Sequence, residues 1–172
     1  PAYNIVGVIE GSDPILKNEY VVIGAHYDHI GTAENIGGDI IANGANDNAV
    51  GSTSVTKIAK YFATTRSNKL SVIFALFTAE EKGLLGSEYY SENPVFPLAS
   101  TVADINVDMI GRVDEKYKDN PDYIYVIGSD RLSTDLHKIN EAANQKYTQL
   151  ILDYTYNDEK DPNKFYYRSD HY

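Results

Sequence analysis

From Leu70 to Phe77 the chain reads Leu-Ser-Val-Ile-Phe-Ala-Leu-Phe, apolar at every position but Ser71. A run of that length and apolarity predicts a strand buried on both faces. Asn4 to Ile9 and Tyr20 to Ala25 are shorter β-branched runs separated by Gly11-Ser12-Asp13-Pro14, and they predict an antiparallel pair at a sheet edge. The glycine-rich, polar stretch 31–46 predicts a loop. From about Asp47 to Thr65 the apolar residues Val50, Val55, Ile58, Ala59 and Phe62 fall near three-to-four spacing, which predicts a helix. Further along, Gly83 to Ser91 predicts a short helix stopped by Asn93-Pro94, and Thr101 to Val107 and Tyr123 to Ile127 predict strands. Ser133 to Tyr147 predicts a helix and Gln149 to Leu152 a last strand. Strands alternating with helices in this way predict an α/β fold.

The polar residues become informative once they are placed on that pattern. Two adjacent carboxylates, Glu80 and Glu81, follow the most apolar strand, and carboxylates at the mouth of a core require a cation, a proton or open solvent. His26 and Asp28 follow the Tyr20 strand, Asp108 follows the Thr101 strand, and Asp47 stands at the start of the first helix. In an open α/β sheet the carboxyl ends of the strands are where ligands bind, so these residues are expected to converge. A set of His, Asp and Glu without Cys suits zinc or a similar divalent ion bound through nitrogen and oxygen, with the metal left open. Taken singly, each has an ordinary structural reading: Glu80-Glu81 as a helix N-terminus, Asp47 as an N-cap, Asp108 as a loop acid and His26 as a hydrogen-bonded strand end.

Composition narrows the alternatives. A chain of 172 residues fits one domain with its own core. Its formal net charge is −10 with no cluster of Lys or Arg, which argues against nucleic acid or an anionic membrane as partner. The absence of Cys excludes disulfides and thiolate metal sites, leaving the compartment open. No apolar run approaches the roughly 20 residues of a membrane-spanning helix. The chain starts at Pro1, without an initiator Met or a signal-like segment, and is read as a mature form or an excised piece.

Five motifs occur in order: Gly24-Ala25-His26-Tyr27-Asp28-His29, Gly44-Ala45-Asn46-Asp47-Asn48-Ala49, Thr78-Ala79-Glu80-Glu81-Lys82-Gly83-Leu84-Leu85-Gly86-Ser87, Asn106-Val107-Asp108-Met109-Ile110-Gly111 and Ser169-Asp170-His171. Together they resemble the co-catalytic di-zinc aminopeptidases of metallopeptidase family 28, the bacterial leucyl aminopeptidase and aminopeptidase S type. The resemblance implies a three-layer α/β sandwich with a central mixed, mostly parallel sheet and helices on both faces. It implies two zinc ions, His26 and Asp108 each on one of them with the bridging Asp47, and Glu81 and His171 on the other. Glu80 is then the general base, and Asp28, two residues beyond His26 on the same strand face, orients that imidazole. His29 and His137 stand outside the implied ligand set, as do Asp104 and Asp170, and Tyr154, Tyr156, Tyr166, Tyr167 and Tyr172 are read as packing or a pocket wall. The implied substrates are peptides with a free N-terminus, and the implied location is extracellular or periplasmic. Related zinc amidases, carboxypeptidases, glutaminyl cyclase-like enzymes and non-catalytic peptidase-like binding domains are the alternatives on the same fold. Relative to the family the chain reads as one catalytic domain, residues 1–172, trimmed at both ends. On that reading His171, next to the terminus, makes the second metal position weak or empty, and the activity of the isolated fragment is left open.

Overall fold

The computed structural model describes residues 2–172. Contacts divide the chain into two compact units, the first running to Gly111 and including His171, the second comprising Arg112–Asp170 and Tyr172. The first unit contains β1 (Ile5–Ile9), β2 (Tyr20–His26), β3 (Thr32–Ile36), β4 (Asp39–Ile41), α1 (Val50–Thr65), β5 (Ser71–Phe77), α2 (Leu85–Glu92) and β6 (Thr101–Asn106).

Its main sheet has the order β1-β5-β2-β6. The apolar run forms β5, in which every residue except Leu76 is buried. β5 pairs in parallel with β2, from Tyr20 opposite Ser71 to His26 opposite Phe77, and antiparallel with β1; β2 pairs in parallel with β6. The antiparallel β1–β2 pair expected from sequence does not form, because β5 lies between them. A strand this apolar gains most from a neighbour on each edge, and the chain around Gly11 ties β1 to the entry of β5. Ser12 N–H donates to the Asn68 carbonyl at 3.0 Å, Gly11 N–H to Ser71 Oγ at 3.0 Å, and Asn68 Nδ2 to the Ile9 and Glu10 carbonyls at 3.2 Å each. Gly11 is obligatory there, since a Cβ would lie 2.0 Å from the Lys69 carbonyl oxygen.

The two faces of the sheet carry separate cores. On one, Val55, Ile58, Ala59 and Phe62 of α1 pack on Ile23, Ala25, Val72 and Phe74. On the other, Tyr90 of α2 packs with Val22, Ile73, Ala75 and Phe77. This is the helix–sheet–helix layering of an α/β sandwich, and each fully buried aliphatic or aromatic side chain contributes about 1.5–3 kcal/mol.

Two local expectations are corrected. The stretch 31–46 is not all loop: β3 and β4 form an antiparallel hairpin over Gly37-Gly38, whose φ values of +64° and +98° suit the turn that two-residue hairpins favour. α1 starts at Val50 rather than Asp47, because residues 45–49 make a wider turn in which Asp47 has φ −121° and ψ 90°. Asn48, not Asp47, supplies the capping bond: its Oδ1 accepts from Gly51 N–H at 3.1 Å.

The second unit holds β7 (Tyr123–Tyr125), α3 (Thr134–Ala143) and β8 (Ile151–Asp153), with β7 and β8 parallel. Ser133 caps α3 by accepting from Leu136 N–H. α3 ends short of Tyr147 because the Asn144 side chain bonds Thr148, Leu150 N–H and the Leu150 carbonyl, opening residues 144–148 into a wider turn. β8 begins at Ile151, beyond Gln149, whose φ of +56° interrupts extended backbone.

Asp153 organises this unit. It is buried and accepts from Lys116 Nζ at 2.7 Å, Tyr117 OH at 2.7 Å and Thr155 N–H at 2.8 Å. Burial pushes its pKa up, but the bonds from Lys116, Thr155 and Tyr117 outweigh burial and hold it below the ordinary 3.8. A depressed carboxylate pKa stabilises the fold above the unfolded-state value, and that contribution is lost progressively as pH falls from there, about 4, through the lower folded-state value. Asp153→Asn is therefore expected to cost about 2 kcal/mol at pH 7 and a smaller amount near pH 2, where the unfolded-state carboxyl is already protonated, read from urea midpoints at the two pH values. An unchanged midpoint at pH 7 contradicts this role.

Candidate metal centre

β2, β5 and β6 run parallel, so their carboxyl ends share one sheet edge. Main-chain bonds from Tyr27 N–H to the Phe77 carbonyl and from Val107 N–H to the Gly24 carbonyl, both 2.9 Å, hold the exits of the three strands together. The residues leaving those strands gather at this edge.

His26 is 1% exposed at the end of β2. Its Nδ1 lies 3.2 Å from the Asp28 carbonyl oxygen, which only accepts, so Nδ1 carries the hydrogen. Nε2 then faces two carboxylate oxygens, Asp47 Oδ1 at 3.1 Å and Asp108 Oδ1 at 3.5 Å. A nitrogen lone pair aimed at two anionic oxygens needs a second proton or a cation among them. The orientation of His26 comes from the Asp28 main chain more closely than from its carboxylate, which is 3.8 Å from Nδ1. The Asp28 carboxylate instead accepts from Glu80 N–H at 3.1 Å and Glu81 N–H at 3.3 Å, pinning the turn that carries both glutamates. Ala79, at φ +56°, sets the direction of that turn.

Asp47 is reached through a tightly built loop. The Asn48 side chain donates to the Val107 carbonyl at 2.9 Å, and Gly51 leaves room for it: a Cβ there would lie 2.3 Å from Asn48 Oδ1. The peptide bond between Asp47 and Asn48 is cis. While Asp47 Oδ1 faces His26, its Oδ2 faces His29 Nδ1 at 3.9 Å, and His29 Nδ1 is 2.7 Å from Glu81 Oε1. Burial, then the neighbouring Asp108 and Glu81 carboxylates, push the Asp47 carboxyl above its ordinary range, against the weaker opposite pull of His26 and His29.

Among the described residues two groups offer donor atoms that all lie within 4.8 Å of one another: His26, Asp47 and Asp108, and His29, Asp47 and Glu81. They share Asp47. Tetrahedral zinc with Zn–N and Zn–O bonds of about 2.0–2.2 Å sets its ligand atoms roughly 3.4 Å apart. The observed separations of 3.1 and 3.5 Å in the first group, and 2.7 and 3.9 Å in the second, bracket that value. Three carboxylates and two imidazoles without a thiolate form a donor set that fits zinc.

Of the residues singled out in the sequence, the structure thus brings together His26, Asp47, Glu81 and Asp108, with Asp28 beside them and Glu80 next to Glu81 in the chain. His171 groups with the first unit by its contacts but belongs to neither donor group; nor do Asp104, Asp170 and His137. His137 sits 2.9 Å from Ser129 Oγ in the second unit, and the rings of Tyr166, Tyr167 and Tyr172 meet edge to face. His29 is the residue that sequence reasoning set aside. Its signal was its place next to Asp28 in the His26-Tyr27-Asp28-His29 motif, at a position that the implied ligand set leaves out.

Residues 4–172 match the model of Peptidase family M28. The chain is 34% identical over 110 residues to Leucine aminopeptidase 2 of Trichophyton equinum, covering 63% of this chain and 20% of that protein. It is 32% identical over 114 residues to Aminopeptidase YwaD of Bacillus subtilis, covering 66% of this chain and 23% of that one. Among solved structures it is similar to BSAP, a zinc aminopeptidase from Bacillus subtilis, with a TM-score of 0.66 and 27% identity over 87% of this chain and 33% of that one. The chain thus spans about a fifth to a third of the length of these relatives.

Proposed function

Because the chain belongs to peptidase family M28, we propose that the protein carrying it is a zinc aminopeptidase that removes N-terminal residues from peptides with a free amino terminus. The observation that carries the reading is Asp47, whose two carboxylate oxygens face two different imidazoles, one in each donor group. A carboxylate in that position suits a bridge between two ions. His26, Asp108 and Asp47 would hold one; Asp47, Glu81 and an imidazole, which the family resemblance gives as His171, would hold the other. When bound, zinc supplies Lewis acidity, polarising a carbonyl oxygen and making water nucleophilic near neutral pH.

The protein's own groups do the rest. Glu80 accepts the proton of the attacking water and delivers it to the leaving amine, the work of a carboxylate placed beside the reacting centre. Asp28 holds the Glu80 and Glu81 amides in one turn, so the proton carrier and the metal-binding acid keep fixed places relative to each other. The Asp28 carbonyl keeps the His26 hydrogen on Nδ1 and so turns the Nε2 lone pair toward Asp47 and Asp108, as a ligand role requires. An extracellular or periplasmic location belongs to the same proposal; among the described residues no helix is long and apolar enough to cross a membrane.

The substrate class is tested with a pair of anilides. Leucyl p-nitroanilide is expected to be hydrolysed, and N-acetyl-leucyl p-nitroanilide to react at least about a hundredfold more slowly, since a site that binds a free amine leaves that binding unused with the acetylated analogue. Equal rates on the two substrates would sink the aminopeptidase reading in favour of an amidase.

A further inference from the structure

We propose that the β3–β4 hairpin is the docking surface for the part of the peptide substrate that follows the scissile bond, and that Ile40 or Ile41 selects apolar side chains there. This rests on the aminopeptidase reading above and adds a substrate class to it: peptides with apolar residues at the third and fourth positions.

The hairpin is inserted between residues of the metal centre. On its entry side His29 Nδ1 lies 2.7 Å from Glu81 Oε1. On its exit side Gly44 packs against the same His29, where a Cβ would come within 2.9 Å of His29 Cβ and 3.0 Å of Cγ, and Asp47 follows shortly after. Ala42 N–H closes the stem by donating to the Gly31 carbonyl at 2.9 Å, and Thr32 pairs with Ile41. Three residues of chain separate Thr32 from His29, a reach of at most about 11 Å. An extended peptide covers that distance with the same number of residues, so a substrate cleaved at the metal centre meets the hairpin with its third or fourth residue.

Among the described residues β3 and β4 pair only with each other. Every residue of β4 is exposed, Ile40 at 49% and Ile41 at 62%. Successive strand residues point to opposite faces, so each face of the hairpin carries one of these isoleucines. A lone two-stranded hairpin is at best marginally stable in water, and an extended chain laid on it supplies the contacts that it lacks. Position and charge identify the occupant. Residues 31–42 include Glu34 and Asp39 and no Lys or Arg, so the hairpin of a second copy would set like charges against them. The inner residues of an apolar peptide carry no charge and arrive already held at the scissile bond.

The test compares two substrates with the same scissile bond, leucyl-alanyl-leucyl-leucinamide and leucyl-alanyl-glycyl-glycinamide, on the zinc-loaded whole protein, with release of leucine followed as initial rates. Wild type is expected to favour the first by about tenfold in kcat/KM, the lower end of what burying an aliphatic side chain yields, since the hairpin covers it from one side. Ile40→Ser or Ile41→Ser, whichever stands on the occupied face, is expected to abolish most of that preference, and the double variant to do so in either case. Both side chains are exposed, so neither change removes packing from the core. Effects on the metal centre cancel in the ratio, because the two substrates present the same bond. If wild type releases leucine from neither peptide, the aminopeptidase reading fails and this proposal with it. If wild type cleaves both at equal rates, or if the preference survives in the double variant, the hairpin assignment alone is overturned.

Discussion

Glu80→Gln is expected to reduce turnover by between about a hundredfold and ten-thousandfold, the range for loss of a positioned proton carrier, with zinc content unchanged. Gln keeps the size and hydrogen-bonding reach of Glu but cannot accept a proton at neutral pH. The main-chain amide of residue 80 still reaches Asp28, so the turn and Glu81 stay in place. Separation of the two readouts is what distinguishes the neighbours: the same change at residue 80 leaves metal bound and stops turnover, whereas at Glu81 it removes an oxygen donor. Turnover of leucyl p-nitroanilide near the wild-type rate, in a variant with full zinc content, removes Glu80 as the base.

Asp47→Asn is expected to have the largest effect on the site, because one substitution touches both donor groups. Asn presents one oxygen and one amide nitrogen whose hydrogens repel a cation, so one of the two faces of the bridge is lost and the remaining oxygen is neutral. Turnover is expected to fall by more than the Glu80 variant shows, since binding and polarisation fail together. The stability of metal-free protein should move the other way. The Asp47 charge lies beside Asp108 and Glu81, and a neutral amide relieves that repulsion, so the metal-free variant is expected to unfold at a temperature equal to or above that of metal-free wild type. Zinc should then raise the wild-type midpoint and leave the variant nearly unchanged, because only a ligand that binds the folded state stabilises it.

The fold was legible where pattern and burial agree. The Leu70–Phe77 run specified the most buried strand, and the Val50–Phe62 spacing specified the helix on one of its faces. Pairing was less legible, because a short link between β1 and β2 looks like a hairpin until the side chain of Asn68 and the Gly11 approach are seen to tie β1 to β5. The gathering of His26, Asp47, Glu81 and Asp108 could be read because three of them leave parallel strands at one edge, which the alternation of strands and helices already implies. Two details lay beyond the sequence. Asp28 follows a strand like the others, yet its carboxylate turns to the amides of residues 80 and 81, fifty-two and fifty-three positions away. For His29, placed outside the implied ligand set, nothing local shows that its ring meets Glu81 at 2.7 Å; the space left for it by Gly44 exists only in the folded loop.

Zinc content per chain, measured side by side on wild-type protein and Asp47→Asn after reloading metal-stripped samples, tests the shared site most directly. Two ions in the wild type and no more than one in the variant are predicted. Equal zinc content in the two proteins would contradict a centre built around Asp47.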